Sequence, residues 1–162
     1  MTASKSARNT RFTRHRRIHP FGLMMAVIIA LFTCSLALAA PHVSVSNARI
    51  RLLPGDLPLA GYFDLTNRGD EDLVLVGASS AAFKMVHMHR SLEHGGTSSM
   101  VPVGRREIKP GATVHFSPGG YHLMLMQAAA PLKVGEKVPV ALQFAGGQTL
   151  QVMFAVNGAG TE

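Results

Sequence analysis

The chain predicts an all-β sandwich or barrel behind an N-terminal signal peptide. Short runs of alternating or β-branched apolar residues recur from residue 42 to the C-terminus. Gly- and Pro-containing turn signals separate them. No convincing helical pattern appears beyond residue 39.

The first forty residues stand apart. Residues 1–20 carry Lys5, Arg8, Arg11, Arg14, Arg16 and Arg17 and no acid, while residues 21–39 (FGLMMAVIIALFTCSLALA) are almost wholly apolar. A basic n-region, an apolar h-region and Ala37-Leu38-Ala39 describe a secretory signal peptide over residues 1–39. Cleavage belongs after Ala39, because a cut after Ala40 would put Pro41 first. The Arg16-Arg17 pair is weakly like a twin-arginine signal, but the strongly apolar h-region favours the ordinary secretory route. Left uncleaved, the run is about long enough to serve as a membrane anchor. The only cysteine, Cys34, follows Leu31-Phe32-Thr33, a poor lipoprotein box.

The mature domain, residues 40–162, then divides into strands. His42–Leu53 alternates in part and ends at Pro54-Gly55-Asp56. Ala60–Thr66 follows and closes at Asn67-Arg68-Gly69-Asp70. Asp72–Gly77 (DLVLVG) is apolar on both faces and reads as a buried strand. Ala78–Phe83 reads as a small-residue connection. In Lys84–Arg90 (KMVHMHR), strand parity puts Met85, His87 and His89 on one face and Val86 and Met88 on the other. Glu93–Ser98 reads as a polar loop and Ser99–Val103 as a short strand with Met100. Thr113–Phe116 and Tyr121–Gln127 are the next strands. Lys137–Phe144 and Gln148–Val156 form a closing hairpin around Gly146-Gly147.

Charge and cysteine content exclude several functions. The formal charge is +7, but the first 39 residues hold 6 of the 16 Lys+Arg and none of the 9 Asp+Glu. The mature chain carries ten basic against nine acidic residues, a net of +1, so its charge offers nothing to nucleic acid. No basic patch is interleaved with aromatics. With no cysteine, the mature chain cannot build a blue-copper site. It has no C-x-x-C-H for haem attachment, no H-E-x-x-H and no nucleophile motif, so an enzyme is not expected.

What remains is a concentration of soft donors. The mature chain has six histidines and six methionines, most of them within residues 85–126. Tyr121–Gln127 alternates strictly, so Tyr121, Leu123 and Leu125 share one face, and His122, Met124 and Met126 the other. Ten residues separate His89 from Met100, twenty-one separate Met100 from His122, and one separates His122 from Met124.

This His-x10-Met-x21-His-x-Met spacing resembles that of the periplasmic PCu(A)C-type copper chaperones. Ala60-Gly61-Tyr62-Phe63-x-Leu65-Thr66-Asn67 and Pro118-Gly119-Gly120-Tyr121-His122-Leu123-Met124-Leu125-Met126 extend the resemblance over the mature chain. It implies a cupredoxin-like β-barrel. It also implies that His89, Met100, His122 and Met124 bind one copper ion near the surface, for assembly of cytochrome c oxidase. The implied partner is a copper-accepting oxidase subunit or another copper chaperone. The implied protein is a periplasmic monomer that meets the membrane only through an uncleaved signal. Family members often carry acidic and methionine residues just after the first histidine, where this chain has Arg90-Ser91.

Coordination chemistry agrees with that set. Thioethers select Cu(I), imidazole serves several metals, and no carboxylate is present to favour hard cations. Cu(I) is the expected state and Cu(II) the alternative. Buffering or resistance without a dedicated acceptor needs the same site. Among the other donors, Met85, Met88, Met126 and Met153 read as core filler. His42, His94 and His115 read as surface, with His94 a weak candidate for a second site or a Cu(II) form. His87 is either a substitute for His89 or solvated.

Overall fold

Among the described residues ten strands follow one another: β1 (Val43–Arg51), β2 (Leu59–Asn67), β3 (Leu73–Ser79), β4 (Phe83–His94), β5 (Thr97–Pro102), β6 (Arg106–Ile108), β7 (Thr113–Phe116), β8 (Tyr121–Ala128), β9 (Lys137–Phe144) and β10 (Thr149–Asn157). The structure is a computed structural model that describes residues 42–160, except Asp56 and the side chain of His94. The signal peptide expected over residues 1–39, and Cys34 with it, lies outside the described residues.

The strands form one sheet in the order β5-β4-β8-β7-β2-β1-β10-β9-β3-β6. Neighbours pair antiparallel, with two exceptions. The first and last strands, β1 and β10, run parallel from Arg49↔Ala155 to Arg51↔Asn157. A single parallel contact, Phe116↔Tyr121, joins β7 to β8. A sheet of this length with one apolar face must curl to hide it. Nine strands, all but β5, feed one core cluster at whose centre Phe63 stacks on Phe116 at 4.2 Å and meets Phe154 edge-on at 5.6 Å.

Four expectations change. Glu93–Ser98 is a tight turn rather than a loop, because Gly95 and Gly96 both take positive φ (56° and 81°) and close a two-residue hairpin with His94 opposite Thr97. β4 and β5 lengthen accordingly. The connection before Phe83 shortens, because β3 runs on to Ser79. β3 is not buried on both faces: Leu75 is fully buried, but Val76 faces out near the sheet's edge. β6, three residues long, carries no periodicity for a sequence reading to detect, yet Ile108 is a core residue.

Two positions in the Ala60–Asn67 run explain its sequence. A Cβ at Gly61 would lie 3.2 Å from Leu123 Cβ and 3.3 Å from Leu125 Cδ1. Glycine therefore lets β2 approach β8 closely, in the register Gly61↔Leu123 and Ala60↔Met124. Asn67, only 2% exposed, satisfies its whole amide. Its Nδ2 donates to the carbonyls of Glu71 (2.7 Å) and Ile108 (2.9 Å), and its Oδ1 accepts from Gly69 N–H (2.9 Å). One side chain thus ties the end of β2 to the turn before β3 and to β6.

Candidate metal centre

β8 is placed by its inner face. Leu123 and Leu125 are buried in the core, so His122 and Met124 are turned to the outer face by parity alone. β4 pairs with β8 in a register that puts His89 opposite His122, His87 opposite Met124 and Met85 opposite Met126. On the other side of β4, the edge strand β5 sets Met100 opposite Ser91 and Pro102 opposite His89. The four expected donors therefore lie on one face of three adjacent strands. His89 is central, His122 stands across from it, and Met124 and Met100 sit at diagonal positions on either flank.

The site is graded in burial. His122 is 5% exposed, Met124 and His89 are half-buried, and Met100 is 60% exposed. Ala60, beside Met124 on β2, leaves that side chain room.

The two imidazoles are ready to accept a soft ion. Their ring centroids are 6.1 Å apart in an edge-on arrangement. A metal–nitrogen bond of about 2.0–2.1 Å puts a ligated ring centre roughly 3 Å from its ion, so this separation lets one ion touch both rings. His122 Nδ1 is 3.2 Å from the Gly120 carbonyl, which can only accept. Nδ1 therefore donates, and Nε2 presents its lone pair. His89 Nδ1 is buried without a hydrogen-bond partner, the only imidazole nitrogen of that kind among the described residues. Such an orphaned nitrogen is costly unless something binds it.

Electrostatics keep His89 neutral. Burial, then the neighbouring His122 and His87, hold its pKa below the ordinary 6.5. The unfolded chain then takes up a proton more readily than the folded one. Stability is complete above about pH 6.5 and is lost as pH falls toward the depressed value. Wild type is therefore expected to lose more of its urea midpoint than His89→Gln between about pH 7.5 and about pH 5. Parallel losses in the two proteins would refute the depressed imidazole.

The methionines depart from the core reading. Met88 is in the core, as expected. Met85 and Met153 are not: they are 37% and 53% exposed. Met126 is half-buried on the outer face and does not pack against the core cluster. Each has the parity opposite to its neighbours in the core: Val86 and Met88 on β4, Leu123 and Leu125 on β8, and Phe154 on β10. His42 and His115 are at the surface, and His115 Nδ1 lies 2.6 Å from Asp64 Oδ1. Among the described residues, no three His, Cys, Asp or Glu side chains converge on a cation position.

Comparison with known proteins places the domain. Residues 43–156 match the family described as "Putative lipoprotein LpqE-like". "Putative lipoprotein Lxx21020" of Leifsonia xyli subsp. xyli is 32% identical over 156 residues, covering 90% of this chain and 93% of that protein. The copper-bound PCuAC domain of PmoF2 superposes with a TM-score of 0.62 at 22% identity, covering 74% of this chain and 96% of that one. The solution structure of CuI-DR1885 from Deinococcus radiodurans superposes with a TM-score of 0.53 at 28% identity, covering 80% and 85%. The fold is thus the cupredoxin-like barrel of PCuAC domains, and the chain belongs to the LpqE-like, PCuAC-type family.

Proposed function

We propose that this protein is an exported copper carrier that binds one Cu(I) through His89, Met100, His122 and Met124 and passes it to a copper-accepting protein. The observation that carries the reading is the facing pair His89–His122, with an unpartnered nitrogen on the first and a carbonyl-oriented ring on the second. Two thioethers flank it on the same face. Two neutral imidazoles and two thioethers make a soft, uncharged donor set, which favours Cu(I) over Cu(II) or zinc. The Cu(I) form of DR1885, whose fold this chain shares, supports the same state.

Residues 1–39 would act as the export signal, delivering the domain to the periplasm. The relatives' description as lipoproteins supports an extracytoplasmic location. A lipid-anchored form can use only Cys34, the chain's single cysteine. A solvent-facing site with an exposed Met100 suits a carrier, since an incoming thiolate can replace the outermost ligand first. The proposed acceptor is an apo copper centre of cytochrome c oxidase or a second copper chaperone.

The decisive experiment mixes the Cu(I)-loaded protein with the apo form of the soluble copper domain of the oxidase. Copper is expected to appear on the acceptor. Tight binding with no transfer would instead mark a buffering protein.

A further inference from the structure

Below the four-donor set, the β4–β8 pair continues with three more soft donors on the same outer face. Met85 stands opposite Met126, and His87 is two residues from Met85 on the same face, diagonal to Met126. None of the three belongs to the core cluster. Met85 and His87 are exposed and Met126 is half-buried. Core filling therefore does not account for two methionines placed directly across from each other on a solvent-facing surface. A long aliphatic residue would serve packing there equally well, and would add no sulphur.

We infer that Met85, His87 and Met126 form a second soft-metal site, one step along the strand pair from the first, for a monovalent ion such as Cu(I). Two thioethers and one imidazole suit the low coordination numbers Cu(I) accepts. Directly opposed side chains start about 4.5–5.5 Å apart at Cβ and diagonal ones about 7–8 Å, within reach of flexible methionines. Met124 lies between the two sites, opposite His87 and next to Met126 on its face. An ion leaving the first site keeps its +1 charge and exchanges one neutral ligand at a time. The site rests on the Cu(I) reading above for its ion, though not for its geometry.

The test uses Ag(I), a redox-inert soft cation, added to the full chain in detergent. The chain carries 13C-methyl methionine and Cys34→Ser, which removes the one thiol. Each methyl resonance is assigned with a Met→Leu variant. The Met100 and Met124 methyls are expected to move with the first equivalent, and those of Met85 and Met126 with the second. Met85→Leu with Met126→Leu should abolish the second step and leave the first midpoint within about twofold. Met85 and Met126 methyls that stay fixed under excess silver would overturn the second site and leave the first untouched. Fixed Met100 and Met124 methyls would overturn the first assignment alone.

Discussion

His122→Ala is expected to lower Cu(I) affinity by about a hundredfold or more, measured by competition with a chromophoric Cu(I) chelator. The scale follows from metal sites in general, where changing a residue one layer outside the ligands already costs about 10–100-fold. His122 combines low exposure with a carbonyl-fixed tautomer, so no neighbour can take its place without moving β8. Because the residue is buried, Ala could also disturb packing. Met124→Leu separates the two effects, since it nearly conserves volume and removes only the sulphur. It should cost about tenfold or more in affinity while leaving the urea midpoint unchanged. Wild-type affinity in both variants would remove these residues from the site.

Asn67→Ala is expected to destabilise the domain by about 3 kcal/mol, read from urea unfolding. The variant strands the Gly69 N–H and the carbonyls of Glu71 and Ile108. An unsatisfied buried group costs about 1–3 kcal/mol, and the Gly69 and Glu71 groups are only partly buried, which keeps the total near the lower sum. Against a typical domain stability of about 5–15 kcal/mol, this is a large fraction. No donor of the metal centre is touched, so the folded variant should bind Cu(I) as wild type does. A loss below about 1 kcal/mol would show that water replaces the amide.

Most of the fold was legible because strand parity and turn chemistry act locally. The alternation of Tyr121–Met126 identified its core face correctly, and Gly146-Gly147 located the last hairpin. Sequence could not reveal β6, whose three residues are held by pairing with β3 rather than by any pattern of their own. Nor could it reveal the parallel β1–β10 pairing, which brings the first and last strands together inside the sheet. The methionines expose a subtler limit. Composition makes Met85 a core residue, whereas its parity sets it beside His87 and His89. Parity wins, because Val86 and Met88 take the core-facing side of β4 along this stretch; Phe83, of Met85's parity, is buried at the start of the strand. The same conflict holds for Met126, whose neighbours Leu123 and Leu125 fill the inside.

The parallel pairing of β1 with β10 also governs when the domain can exist at all. Arg49 meets Ala155, so the seam joins the two ends of the domain and cannot form until the last strand is available. Contacts so distant along the chain are slow to form, about milliseconds to seconds in all-β domains. All four donors lie between residues 89 and 124, yet a chain cut before residue 149 has no partner for that edge of β1 and no closed core behind β8. The proposed copper site, assembled from β4, β5 and β8, is thus conditional on β10, which follows all of them in the chain. A chain exported unfolded, as proposed, would acquire the proposed metal-binding geometry only after β10 has emerged.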